Sequence, residues 1–202
     1  MWWGKAMKLT IAVVSFWYFI LGAVAYANSP SLDLIDESVL AKIRSTLDHP
    51  IVVISVKAQN NIYGDLDEAA ILKLDKQWRA ETKSDDQPLI ASVMSAPLST
   101  FLTLQQAQHQ GLFSEVFVMD RNGLNVGQGA VTSDYWQGDE AKFLKTFPVG
   151  PDAVFIDEPE FNEDFKTWRT QVSLTLSREG EKLGVATFEV NLTELERLKN
   201  AR

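Results

Sequence analysis

The string TSDYWQGDEAKF, residues 132–143, gathers three aromatic rings, three carboxylates, an amide and an ammonium around one glycine. A carboxylate in such a stretch is suited to an amine or hydroxyl partner, and a lysine turned inward to a carboxylate. Tyrosine and tryptophan each carry a polar atom on an apolar body, which suits the half-buried rim of a pocket. Gly138 costs a helix about 1 kcal/mol relative to alanine. The helix that follows is therefore expected to begin near Asp139, leaving DYWQG as an irregular loop. The residues of this stretch that present groups to a small ligand are Asp134, Tyr135, Trp136, Gln137, Asp139 and Lys142; Asp157 joins them from the acidic run FIDEPEFNED. Each also has a purely structural use. Asp134 and Gln137, three apart, have capping-box spacing, and the two aromatics suit packing on a sheet. Asp139, Glu140, Lys142 and Lys145 suit a solvated helix whose dipole they complement.

Other chemistries find no support. The formal charge of −8 opposes a nucleic-acid partner, because phosphate binding needs a basic face. The chain has no cysteine, so thiol redox chemistry, disulfides and cysteine metal sites are excluded. Two histidines give no basis for a histidine-rich metal site. The acidic run at 157–164 lacks the glycine and glutamate spacing of an EF-hand and reads as a solvated loop. Neither G-x-S-x-G nor H-E-x-x-H occurs, and Gly127-Gln128-Gly129 precedes no helix, so a dinucleotide reading fails. No enzyme, metal or cofactor is expected.

These residues must be positioned by a folded body, and the chain divides accordingly. Lys5 and Lys8 precede the apolar run of residues 9–27, which closes on Ala25-Tyr26-Ala27. This describes a secretory signal peptide cleaved after Ala27. An uncleaved anchor is the alternative, since the run approaches the roughly 20 residues that span a bilayer. Either way residues 28–202 are expected as one exported domain, in the periplasm. Apolar spacing predicts a helix from Leu32 to Leu47, a second over IVVISVKAQNN behind Pro50 (a strand being the alternative), and a third from Asp65 or Asp67 through Trp78. A fourth helical region starts at Pro88, bends near Pro97 and ends at Gly111. The period then changes. LFSEVFVMD and RNGLNVGQGAV form a hairpin around Asn122-Gly123, with both faces of the first strand covered. AVFIDEP, WRTQVSLTLS and LGVATFEV are further strands, and NLTELERLKNAR a terminal helix. The expected class is α+β: about five antiparallel strands, N-terminal helices on one face, and a short helix inserted after the second strand. A concavity between sheet and insertion follows, with TSDYWQGDE on its rim.

The strings FSEVFVMDRNGLNVGQGAVTSDYWQGDEAKF, FIDEPEF and QVSLTLSREGEKLGVATFEVNLTEL resemble the PDC or Cache family of extracytoplasmic PAS-like sensor domains over roughly Ser31 to Leu195. The resemblance implies a small ligand held between the sheet and the loop-helix insertion, and a role in signal transduction. Cache domains usually sit between two membrane spans; here no second apolar span is present in the sequence, so a separate membrane-bound receptor or sensor kinase is the expected partner. Self-association, as a homodimer, is expected through the N-terminal helix. The competing reading is a structural PAS-like protein whose cavity is filled by its own side chains and which acts by helix-mediated pairing.

Overall fold

The computed structural model describes residues 29–201; the expected signal or anchor segment lies outside the described residues. Leu32–Leu34 form one 3-10 turn, and α1 runs over Glu37–Leu47. The single helix expected from Leu32 is thus two pieces. Asp36 separates them: its backbone is extended and its carboxylate accepts the N–H groups of Ser38 and Val39, the geometry of an N-cap. The same carboxylate pairs with Lys199 at 2.7 Å, and the lysine first, then Ser38, hold its pKa below the usual carboxylate range.

The second helix, α2, covers Pro50–Tyr63, which settles IVVISV as helical rather than extended. Pro50 occupies the first turn, where its missing N–H costs nothing, and the His49 ring accepts from Ile51 N–H. Val52, Val56 and Asn60, four apart, face inward. Asp67 caps α3, Glu68–Glu81. The fourth helical region is two helices, α4 (Pro88–Met94) and α5 (Pro97–Gln108), whose axes meet at 59° at Pro97.

The strands are β1 (Phe113–Met119), β2 (Asn125–Gln128), β3 (Val154–Ile156), β4 (Glu160–Asn162), β5 (Thr167–Arg178) and β6 (Glu181–Asn191). All pairings are antiparallel in the order β2-β1-β6-β5, with β3 and β4 both hydrogen-bonded to β5. A four-residue helix, α6 (Ala141–Leu144), lies between β2 and β3, and α7 (Leu192–Asn200) closes the chain behind its cap Asn191. The strand β4 is an addition to the expected five. Its three residues EFN stand in the acidic run that reads as a solvated loop, and only pairing with Thr167, Trp168 and Arg169 makes them a strand.

Alternation assigns the two faces of the sheet. Val116 and Val118 of β1, Val172, Leu174 and Leu176 of β5, and Ala186, Phe188 and Val190 of β6 join α1, α2 and α5 in the main core. Each of the valine, leucine and phenylalanine side chains among these, removed fully from water, contributes about 1.5–3 kcal/mol. Gly127 and Gly129 sit where Leu98 and Gln106 of α5 press onto β2, and a Cβ at either would collide with them. The opposite face is only half apolar. Phe117, Met119 and Val185 are covered there by Phe143 of α6, with Phe147 packed alongside. The rest of that face is polar. A third cluster, Trp78, Ile90, Val93, Leu124 and Tyr135, ties α3 and α4 to the β2 edge.

Candidate functional site

DYWQG is an irregular loop, as its glycine suggests, and the structure shows what fixes it. Asp75 of α3 is buried and takes both main-chain donors of the aromatic pair: Oδ1 accepts from Tyr135 N–H at 3.0 Å and Trp136 N–H at 3.1 Å. Its Oδ2 accepts from Arg79 Nε at 2.7 Å, and Arg79 reaches on to the Asp134 carboxylate at 3.1 Å. The Trp136 indole donates to Asn122 O, and Gln137 N–H to Gly123 O, so the loop clips onto the hairpin turn. Gly138 is needed for this approach, because a Cβ there would run into the Trp136 indole. Tyr135 is 1% exposed and stacks on Trp78 with ring centroids 5.2 Å apart. Burial above all pushes its phenol pKa upward.

Four of the expected ligand contacts are therefore committed to holding the chain together. Tyr135 belongs to the core rather than to a rim, and Trp136 spends its N–H on the hairpin. Asp134 is not a helix cap; its carboxylate answers Arg79, and its main-chain oxygen accepts from Thr132, Asn125 and Gln137. Gln137, buried, turns its amide oxygen to Lys142 Nζ at 3.0 Å. Asp139 is exposed and lines no hollow among the described residues. The remaining two, Lys142 and Asp157, do meet.

They meet in a cleft of about 350 Å³ between α6 and the β3–β4 segment, over the polar half of the sheet. Lys142 is 8% exposed, far from the solvated helix charge its position suggests, and its ammonium is held by Gln137 Oε1 and by Glu140 Oε2 at 2.7 Å. The floor is a row across two strands, Gln171 of β5 opposite Glu189 of β6, and Glu115 of β1 lies opposite Glu189 just beyond the lining. Arg169, two residues before Gln171, reaches diagonally to Glu189 at 3.0 Å. Glu160 pairs in register with Arg169, and Asp157, Glu158 and Phe161 complete the wall. No group of three metal-ligating side chains is placed to hold an ion among the described residues.

Sequence reasoning overlooked Arg169, Gln171, Glu189 and Glu115. A signal was present. In WRTQVSLTLS the polar members of the alternation, Arg169, Gln171, Ser173 and Thr175, are as regular as the apolar ones, and a strand of that length crosses the sheet where the insertion must lie over it. Glu115 has a further property: it makes no hydrogen bond or ion pair among the described residues, and burial, then the Glu189 charge, raises its pKa. Lys142 and Arg169 act the other way and Glu140 with it, without reversing the shift. The folded chain thus holds this proton more firmly than the unfolded one, and the associated stability is lost as pH rises through the raised value. Glu115→Gln is expected to melt higher than the parent at pH 8, by about 0.5–1 kcal/mol for a like-charged cross-strand pair. The gain should vanish well below the ordinary glutamate value of about 4.3, where the Glu115 carboxyl is protonated in both the folded and the unfolded chain. Chemical denaturation at the two pH values checks this; a gain that is equal at both would show that charge is not its cause.

No protein-family model matches the sequence, and no curated protein matches it. Solved structures do at low identity. The ligand-binding domain of the Campylobacter jejuni chemoreceptor Tlp3 in complex with 4-methylisoleucine is 9% identical with a TM-score of 0.39, covering 81% of this chain and 64% of that one. The ligand-binding domain of the Pseudomonas aeruginosa PAO1 amino acid chemoreceptor PctC in complex with GABA is 17% identical with a TM-score of 0.37, covering 82% and 65%. The Escherichia coli DcuS sensor domain is 14% identical with a TM-score of 0.39, covering 73% and 98%. The chain therefore spans just under two thirds of the two chemoreceptor domains. All three neighbours are described as sensor or ligand-binding domains. The fold itself is read from this chain: an open antiparallel sheet, helices on one face, and an insertion after the second strand on the other. That architecture is α+β, with the short helix inserted after the second strand as expected.

Proposed function

We propose that this chain is an exported, extracytoplasmic sensor module that binds a small molecule in the cleft between α6 and the β3–β4 segment. One observation carries the reading: a hollow of about 350 Å³ on the insertion face, floored by side chains that serve neither core. Its size suits a metabolite rather than a polymer. Lys142 and Asp157 contribute to it directly. Asp134, Tyr135, Trp136 and Gln137 act one step back, fixing the loop from which Lys142 and Glu140 project. The module is expected in the periplasm, working through a separate membrane-bound receptor or sensor kinase. Pairing of two copies through the N-terminal helices would give that partner a surface to read.

A self-filled cavity is the competing reading, and α6 gives it partial support, since Phe143 plugs the half of the face that holds Phe117 and Met119. The polar half stays open. Melting the purified chain against a metabolite library separates the two. A ligand at 100 times its Kd should stabilise by about 2.7 kcal/mol, roughly 5–10 °C for a chain of this size. Gln171→Trp, which fills the cleft floor, should abolish the shift while the unliganded Tm moves by only a few degrees. No shift from any chemical class, or shifts that survive Gln171→Trp, would overturn the proposal.

A further inference from the structure

We infer that the cleft selects an organic cation, a mono- or diammonium compound, over zwitterionic and anionic metabolites of the same size. The inference rests on the cleft reading above and adds the chemical class. It follows from which charges in the cleft are already answered. Five carboxylates line it, Glu140, Asp157, Glu158, Glu160 and Glu189, against two cations, Lys142 and Arg169. Both cations have internal partners: Lys142 is paired with Glu140 at 2.7 Å and Arg169 with Glu189 at 3.0 Å. An incoming carboxylate would therefore meet cations whose charge is already answered, beside carboxylates that repel it.

The opposite holds for an incoming ammonium. Asp157, Glu158 and Glu160 make no ion pair among the described residues, and Glu115 beside the floor has neither an ion pair nor a hydrogen bond. The cleft is thus acidic on both sides, Glu189 on the floor with Glu115 next to it, and Asp157, Glu158 and Glu160 on the wall. Phe161 adds a ring face to that wall, a surface that attracts ammonium groups. A metal ion fits less well, since no three of these carboxylates converge within ligating reach of one point. Glu115, unpaired opposite a Glu189 whose charge Arg169 already answers, has the mark of a position kept at the expense of stability, because a ligand cation would supply what the fold withholds.

Calorimetric titration of the full chain with three four-carbon compounds tests the class: 1,4-diaminobutane, 4-aminobutyrate and succinate, which carry charges of about +2, 0 and −2 at pH 8. Affinity is expected to fall in that order, with the diamine at least tenfold tighter than the zwitterion and no heat from succinate. Glu115→Gln should weaken the diamine about tenfold, and Glu158→Gln/Glu160→Gln, both at exposed positions, should do the same without threatening the fold. Ethylamine and choline, titrated alongside, cover monoammonium ligands. Tighter binding of 4-aminobutyrate or succinate overturns the class while leaving the cleft reading intact. Diamine binding that ignores all three substitutions also overturns it, by placing the cation on the acidic surface at large. If no ammonium compound binds but an uncharged or anionic library compound does so in a manner blocked by Gln171→Trp, the class falls alone; if nothing binds, both fall.

Discussion

Asp75→Ala is expected to destabilise the chain by about 1–4 kcal/mol, the cost of a buried main-chain donor left unsatisfied together with a lost bond to the half-exposed Arg79. The carboxylate holds three donors at once: the main-chain N–H groups of Tyr135 and Trp136 and the Nε of Arg79. Alanine leaves the buried Tyr135 N–H with no acceptor, and that group alone costs about 1–3 kcal/mol. It also releases Arg79, whose second contact is Asp134. Asp75→Asn separates these contributions. Its amide oxygen still accepts from the two N–H groups, and only the bond to the half-exposed Arg79 is lost, an exposed interaction of about 0.2–1 kcal/mol. Equilibrium unfolding of the two variants should therefore give a large loss for alanine and a small one for asparagine. Equal losses would mean that the ion pair, rather than the backbone clip, is what α3 contributes to the loop.

Asp75 also shows why part of the site was legible in the sequence and part was not. Local signals carried the elements: Pro50 after His49, Asp67 before an apolar stripe, and Asn122-Gly123 between two strands. Alternation in β5 and β6 identified the face toward the helices, and Val172, Leu174, Leu176, Ala186, Phe188 and Val190 all lie on it. What local signals cannot give is the use of a side chain by a residue far away in sequence. Asp75 sits 60 positions from the Tyr135 N–H it accepts, in a helix whose polar residues all look alike. DYWQGDE stood out because its composition is odd, and the oddness is real. It reflects a loop that must satisfy its own backbone at the edge of a sheet. The cleft drew on residues such as Arg169 and Glu189, which look like the ordinary solvated members of alternating strands until α6 is placed over them.

Tyr135→Ala should cost about 3–5 kcal/mol, the range for emptying a large aromatic site in a core. The ring is the centre of the smaller cluster: it stacks on Trp78 and lies with Leu124, Ile90 and Val93, so the cavity left behind would be walled by two helices and the hairpin and could not easily collapse. Its hydroxyl lies beside Tyr63, Gln59 and Asp120. Tyr135→Phe keeps the stacking and loses only that polar contact, about 1 kcal/mol. The same pair of variants decides where ligand recognition resides. Tyr135 lies in the cluster at the β2 edge, whereas the cleft lies over β5 and β6. Tyr135→Phe should therefore bind any cleft ligand within about twofold of the parent, measured by titration at a temperature where both are folded. A loss of affinity much larger than that, in a variant whose melting curve shows it intact, would return the ring to the rim of the pocket and displace the cleft as the place where a metabolite is held.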